Sequence, residues 1–238
     1  MALIQAKAIE KKYAGKEALK GVDFTAEAGK IIGLLGPNAS GKTTLMKIIA
    51  NILQPTSGEI IYAENAARGV ESKKLVSFLP DTLIFPSWMR VRDTFAFYRD
   101  MYPDYSQQRA DEMIKLLELG NLMQTNVKKL SKGMQERVAF GLTFSRNAKI
   151  YLLDEPLGGI DPVGKSKIIN AILTMQLESS SIVISTHLVK DIERIFDNVY
   201  FLSDGKIIFH GDCDVMREQN GKTVEQAYLE VFEHEGTV

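Results

Sequence analysis

Short apolar runs recur along this chain, and most are followed by a turn and then by apolar residues at helical spacing. Ile31-Ile32-Gly33-Leu34-Leu35, Leu75-Val76-Ser77-Phe78-Leu79, Ile150-Tyr151-Leu152-Leu153 and Ser181-Ile182-Val183-Ile184-Ser185 show no polar alternation. Runs of that kind predict strands buried on both faces. Residues 1–30 differ. Ile4, Ala6 and Ala8 share one parity and Val22, Phe24 and Ala26 another, with turns at Gly15 and Glu27-Ala28-Gly29, which predicts an antiparallel flank. Helical spacing follows at Leu45–Ala50, at Ser106–Gly120 with Ala110, Met113, Ile114 and Leu117 on one face, and at Leu188–Phe196. Asp161-Pro162 is a helix start, an N-cap followed by proline, for a helix carrying Ile168, Ile169, Ile172 and Leu173. Thr223-Val224-Glu225-Gln226 is a capping box that opens a short terminal helix.

Apolar strands alternating with helices predict a largely parallel α/β sheet. Gln54–Gly58 stops the first helix, Glu59–Tyr62 resumes a strand, and Ala63–Lys73 reads as a polar connection. Ser203-Asp204-Gly205 joins Val199–Leu202 to Lys206–Phe209 as a hairpin. From residue 82 to 132 the signals are helical, with Gly120 as the expected C-cap. The expected organisation is therefore one domain over 1–238, with a core formed by 1–81 and 133–238 and a helical subdomain over 82–132. Ligands of such sheets bind at the carboxyl ends of the strands. Gly36, Asp81, Asp154 and Ser185 all fall at such ends, so distant segments are expected to converge.

Composition adds limits rather than detail. The 238 residues are 45% hydrophobic and carry a net charge of −1, with no global basic field to hold nucleic acid. The single cysteine, Cys213, forms no internal disulfide, which favours a reducing, cytoplasmic setting. No signal-peptide pattern opens the chain, and no stretch reaches the roughly 18–20 apolar residues that cross a bilayer. Work at a membrane would require another chain to do the spanning.

The chemistry concentrates first in Gly36-Pro37-Asn38-Ala39-Ser40-Gly41-Lys42-Thr43-Thr44. The spacing G-x-x-x-x-G-K-[S/T], entered by a buried strand and left by a helix, is that of a phosphate-binding loop. Glycine lets successive backbone N–H groups close on an anion, and the helix N-terminus aims more of them at it. Lys42 supplies a point charge for the β- and γ-phosphates, and Thr43 a hydroxyl for Mg²⁺. The second concentration is Asp154-Glu155, two acids ending an apolar strand. Side by side in a protein interior they call for a cation or a reacting proton, so Asp154 is assigned to Mg²⁺ and Glu155 to the attacking water. His187, just beyond Ser185, is placed by the topology near the γ-phosphate, and Tyr13 is a loop aromatic suited to stacking on a base.

Together these residues resemble an ABC-type ATPase, the nucleotide-binding subunit of ATP-binding cassette systems, over nearly the whole chain. Tyr13 matches the adenine-stacking aromatic, Gly36–Thr44 Walker A, and Ile150–Asp154 with Glu155 Walker B and its catalytic glutamate. Leu130-Ser131-Lys132-Gly133-Met134 matches the signature, Gly158-Gly159-Ile160-Asp161 the D-loop, and His187 the switch histidine. The resemblance implies a P-loop NTPase of ABC type: a mixed, largely parallel RecA-like core with an antiparallel β flank and an inserted α-helical subdomain. It implies ATP and Mg²⁺ as ligands, with Ser131 and Gly133 contacting the ATP held by a second cassette. That partner is a second copy or a related chain in a head-to-tail dimer. A membrane-spanning permease is the other implied partner, docked near Leu83-Ile84-Phe85-Pro86-Ser87-Trp88-Met89, which places the chain in the cytoplasm on the inner face of the membrane. No nucleic acid is expected.

The signature and the run Asp154–Pro162 look most like cassettes of bacterial exporters. Two alternatives stand beside transport: a soluble ABC-type ATPase in DNA, translation or cofactor-assembly work, and a regulatory ATP-dependent binding module. Four positions depart from the family pattern. Ala39 replaces a frequent glycine, Lys132 and Met134 replace the signature's Gly and Gln, and Asp81 stands where a glutamine reaches Mg²⁺ and the attacking water. An acid there adds negative charge beside phosphate and predicts slow or tightly partner-dependent hydrolysis. Asp81→Gln should then change the basal or the partner-stimulated rate of phosphate release; a chain unchanged in both would refute the expectation.

Overall fold

The computed structural model describes residues 1–63, 69–83, 85–86 and 88–235, with backbone alone at 219–220 and 234–235. Ile84 and Ser87, and residues 64–68 of the polar connection, lie outside the described residues. In order, the elements are β1 (Ala2–Tyr13), β2 (Lys16–Glu27), β3 (Ile31–Leu35), α1 (Lys42–Ile49), β4 (Ser57–Tyr62), α2 (Val70–Leu75) and β5 (Val76–Leu79). Then follow α3 (Val91–Met101), α4 (Gln107–Leu116), α5 (Lys132–Phe144), β6 (Ile150–Asp154), α6 (Pro162–Met175), β7 (Ser181–Thr186) and α7 (Val189–Ile192). The chain closes with β8 (Asn198–Ser203), β9 (Lys206–Asp212), α8 (Cys213–Asn220) and α9 (Val224–Glu235).

Two sheets form. One is antiparallel with order β2-β1-β4, and the other has order β5-β6-β7-β3-β8-β9. In the larger sheet every pair is parallel except β8–β9. The period-2 geometry of its central strands explains why they read as continuous apolar runs. Ile31 and Leu35 of β3, Tyr151 and Leu153 of β6, and Ile182 and Ile184 of β7 enter one core, beneath α5, α6 and α9. Ile32, Leu34, Ile150, Leu152 and Val183 enter the other, shared with α1 and the antiparallel sheet. Each of these side chains, fully withdrawn from water, stabilises the fold by about 1.5–3 kcal/mol.

The parity expected for Ile4, Ala6 and Ala8 breaks at Ala8. This residue has φ +47°, the register shifts between Ala6 and Ile9, and Ile9 rather than Ala8 is buried. A bulge of this kind flips the faces that follow. The C-cap expected at Gly120 is also displaced: α4 ends at Leu116, Glu118 takes the left-handed conformation with φ +54°, and Gly120 opens a 3₁₀ turn. The helix expected over Leu188–Phe196 is only α7 followed by a 3₁₀ turn, Glu193–Ile195. Three helices lack a counterpart in the sequence: α5, α8 and α2, which forms over Val70–Leu75 where a polar connection and the first residue of a strand were expected. In α5 every residue from Val138 to Phe144 is buried, so no polar face marks its period. The hairpin at Asp204-Gly205, the Asp161 N-cap and the Thr223/Gln226 capping box all form as the sequence indicates.

Arg146, 5% exposed, ties the helical stretch to the sheet. Its Nε lies 3.0 and 3.1 Å from the Asp104 oxygens, its Nη1 donates to the Val76 carbonyl at 2.8 Å, and its guanidinium sits 4.2 Å from the centre of the Tyr102 ring. Removing one partner of such a pair strands the other. Arg146→Ala is expected to lower the unfolding free energy by about 3 kcal/mol in urea denaturation, with Asp104→Ala milder because Arg146 keeps the carbonyls of Val76, Lys73 and Lys74 as acceptors.

Candidate functional site

β3 delivers the chain to Gly36 directly beneath β8. A Cβ on Gly36 would lie 2.2 Å from the Leu202 carbonyl, and one on Gly41 would lie 2.7 Å from the Ala18 carbonyl. Gly41 also has φ +115°, a conformation that a side chain resists, and it forms the N-cap from which α1 begins at Lys42. The loop is held from outside by the β8–β9 turn, where the Gly205 N–H donates to the Ser40 carbonyl at 3.0 Å. Ala39 has φ +64°, so the methyl that replaces a frequent glycine sits in left-handed backbone.

Lys42 is 6% exposed, and its ammonium donates to the carbonyls of Gly36 at 2.7 Å and Pro37 at 3.0 Å. It also lies 3.6 Å from Glu155 Oε1. Burial lowers the Lys42 pKa from its ordinary value, opposed by the nearby charges of Glu155 and Asp154. Asp154, at the end of β6, is 1% exposed. Burial raises its pKa, while hydrogen bonds from Ser185 and Thr43 lower it and the charges of Asp81 and Glu155 raise it further. Glu155 adopts φ +50°, and its N–H is taken up by the Ser185 carbonyl at 3.0 Å. Its Oε1 lies 3.0 Å from His187 Nδ1. The β6–β7 register pairs Asp154 with Ser185, so His187, two residues further, is carried beside Glu155.

A cleft of ≈ 410 Å³ opens over the loop. Of the residues picked from sequence, Tyr13, Asn38–Thr44, Asp81 and Glu155 line it. Tyr13 is 48% exposed with the Lys11 ammonium 5.2 Å from its ring centre, and Asp81 is exposed. Lys16, Glu17, Ala18, Asp204 and Gly205 line the cleft as well, although the sequence reading assigned them nothing. Asp204-Gly205 was legible as a turn, but only the pairing of β8 with β3 shows where that turn lands. Ser185, read as a strand end, proves to bond both Asp154 and the Glu155 N–H.

Three candidates stand apart from the cleft. Ser131 is the N-cap of α5, its hydroxyl accepting from the Met134 N–H at 3.3 Å, and Gly133 lies in the first turn with nothing within 4 Å of where a Cβ would be. Asp161 caps α6 by accepting from Val163 and Gly164, both at 3.0 Å, and these bonds hold its carboxyl below the usual range. Lys132 reaches back toward Gly159, and its ammonium is 3.6 Å from Glu136.

A triphosphate and a cation fit the arrangement on its own terms. The buried atoms Ser40 Oγ, Asp154 Oδ2 and Glu155 Oε2 have no hydrogen-bond partner, a costly state that a polar ligand relieves. Among the described residues no three His, Cys, Asp or Glu side chains form a metal cage, so a cation here needs the Thr43 hydroxyl and ligand oxygens. Comparison with known proteins agrees. The family model described as ABC transporter matches residues 19–158. A putative ABC transporter ATP-binding protein of Methanothermobacter marburgensis is 32% identical over 248 aligned positions, covering 96% of this chain and 88% of that one. The lantibiotic transport ATP-binding protein SrtF of Streptococcus pyogenes is 28% identical, covering 87% and 89%. The dimeric structure of a bacterial ABC transporter cassette superposes with TM-score 0.78 at 25% identity, covering 88% and 98%.

The left-handed alanine makes a prediction of its own. Ala39→Gly should raise the unfolding free energy by roughly 0.5–1 kcal/mol, since the strain relieved exceeds the entropy glycine adds to the unfolded chain. A scanning measurement should find Tm higher by about 2 °C; a fall of the same size would show that the methyl packs rather than strains.

Proposed function

The chain belongs to the ABC transporter family and is an ATP-binding, ATP-hydrolysing cassette of a membrane transporter, and from this we propose which of its residues carry the reaction and with which partners it acts. One observation supports the assignment above the others: Glu155 Oε1 lies 3.6 Å from the Lys42 ammonium and 3.0 Å from His187 Nδ1. The N–H groups of Gly36–Thr44 and the α1 N-terminus cradle the phosphates, and Lys42 moves from its carbonyl partners to the β- and γ-oxygens. Thr43, Asp154 and Asp81 would hold Mg²⁺. When bound, Mg²⁺ neutralises charge on the β- and γ-phosphate oxygens. Glu155 accepts a proton from the attacking water, and His187 fixes its carboxylate through Oε1. Tyr13 stacks on the base at the open end of the cleft.

Ser131, Gly133 and Asp161 serve a second cassette. Gly133 has room for a side chain within its own molecule, so the need for glycine comes from a partner that approaches α5. In this reading 82–132 moves against the core formed by 1–81 and 133–238 as ATP draws two cassettes together. No helix among the described residues is long and apolar enough to cross a membrane. Trp88, 70% exposed, lies in the segment after Asp81 and offers apolar surface to a permease at the inner face of the membrane. The direction proposed is export, on the resemblance of the signature and of Asp154–Pro162 to cassettes of bacterial exporters.

With Glu155→Gln the ligands are still held but the proton acceptor is lost. Light scattering with saturating ATP and Mg²⁺ should then show a stable dimer that releases no phosphate. A Glu155→Gln chain that stays monomeric would overturn the two-cassette mechanism.

A further inference from the structure

The segment that carries His187 has little to hold it locally. β7 ends at Thr186, α7 is four residues long, its N-cap Leu188 makes no side-chain cap, and it passes at once into the 3₁₀ turn Glu193–Ile195. A helix of one turn has no stability of its own in water. Its placement therefore depends on what touches it from elsewhere. Val189 and Ile192 are buried in the core, and Asp191 pairs with Lys165 of α6 at 2.5 Å. The remaining anchor is at the far end of the chain. The Glu193 carboxylate accepts the backbone N–H of Glu225, in the first turn of α9, at 2.8 Å, and Arg217 of α8 donates to the Glu193 carbonyl at 2.9 Å.

α9 is itself rigidly seated. Val224 is fully buried, and Phe201 of β8 meets Tyr228 edge-on at 5.5 Å and Phe232 at 6.3 Å. Phe201 pairs across the sheet with Leu35, the residue before Gly36. The negative charge of Glu155 reaches Tyr228, adding to the burial that raises the phenol's pKa. One helix thus bears on the loop strand through Phe201 and on the His187 segment through Glu193. It lies outside residues 19–158, which the family model matches.

We propose that Glu193 is a positioning residue for hydrolysis: by capping α9 it anchors α7 and sets the contact between His187 and Glu155. This rests on the role given to His187 above. A carboxylate at a helix N-terminus is held by both the free N–H groups and the helix dipole, which makes the anchor directional. Misplacing a catalytic contact by an ångström lowers rates by up to about a hundredfold without touching the ligand's binding energy.

The test uses steady-state ATP hydrolysis by the full chain. Glu193→Ala should lower kcat by about tenfold or more with KM for ATP unchanged, and Glu193→Gln, which keeps an acceptor oxygen, should restore most of the rate. Glu225→Pro removes the N–H from the other side, in a helical turn that tolerates proline, and should reproduce the Glu193→Ala defect even if that variant folds poorly. Because Glu193 acts through His187, adding Glu193→Ala to His187→Ala should cause no further loss. The proposal is overturned if Glu193→Ala and Glu225→Pro turn over at the parental rate while His187→Ala is impaired, or if the two defects multiply. A His187→Ala chain with parental turnover would instead remove the role of His187, and this proposal with it.

Discussion

A lysine ammonium withdrawn from water at the start of α1 is the constraint around which this molecule is arranged. At 6% exposure Lys42 cannot rely on solvent, and burial already pulls its pKa down. Its charge is retained because the loop bends two carbonyls onto it and β6 brings Glu155 to 3.6 Å. The same loop lines the cleft with Asn38–Thr44. Binding a phosphate chain then exchanges one set of oxygen partners for another. The site is preorganised because the lysine has to be satisfied before any ligand arrives.

The loop keeps that shape because two separate sheets press on it. The Leu202 carbonyl of β8 leaves no room for a side chain at Gly36, and the Ala18 carbonyl of β2 leaves none at Gly41. The turn at Asp204-Gly205 closes the gap between them: Lys20 donates its N–H to the Gly205 carbonyl at 2.8 Å, and Gly205 donates its own to Ser40. The antiparallel sheet is therefore more than a lid on the second core. It forms one wall of the cleft, carries Tyr13 at its edge, and fixes the loop from the side that the parallel strands do not reach.

What could be read from the sequence follows from the same geometry. β3, β6 and β7 were visible because each is buried on both faces, and their carboxyl ends predicted that Gly36, Asp154 and Ser185 would meet, as their register confirms. Caps were visible wherever a side chain bonds its own helix, as at Asp161, Thr223 and Gln226. Long-range consequences were hidden. The left-handed Ala8 inverts its strand's faces without a glycine to announce it. α5 hides its period because its last seven residues, Val138–Phe144, are buried, with Phe140, Phe144 and Tyr151 in a continuous stack. Lys16, Glu17 and Asp204 join the cleft only through pairing between strands far apart in the chain.

The positions of Ser131 and Gly133 give the remaining step. Every glycine of the phosphate loop that is tightly enclosed has an intramolecular cause, a carbonyl standing where a Cβ would go. Gly133 has none: nothing lies within 4 Å of where its Cβ would be, in the first turn of α5. Lys132, in the same turn, folds back toward Gly159 and Glu136 rather than over the helix N-terminus, so the anion-binding end of the helix is kept clear. A helix end left open, facing no ligand of its own chain, has the chemistry to receive an anion that another molecule brings. The cleft over Lys42 supplies such an anion with one side exposed. In the two-cassette arrangement we propose, the two features are the complementary halves of one site.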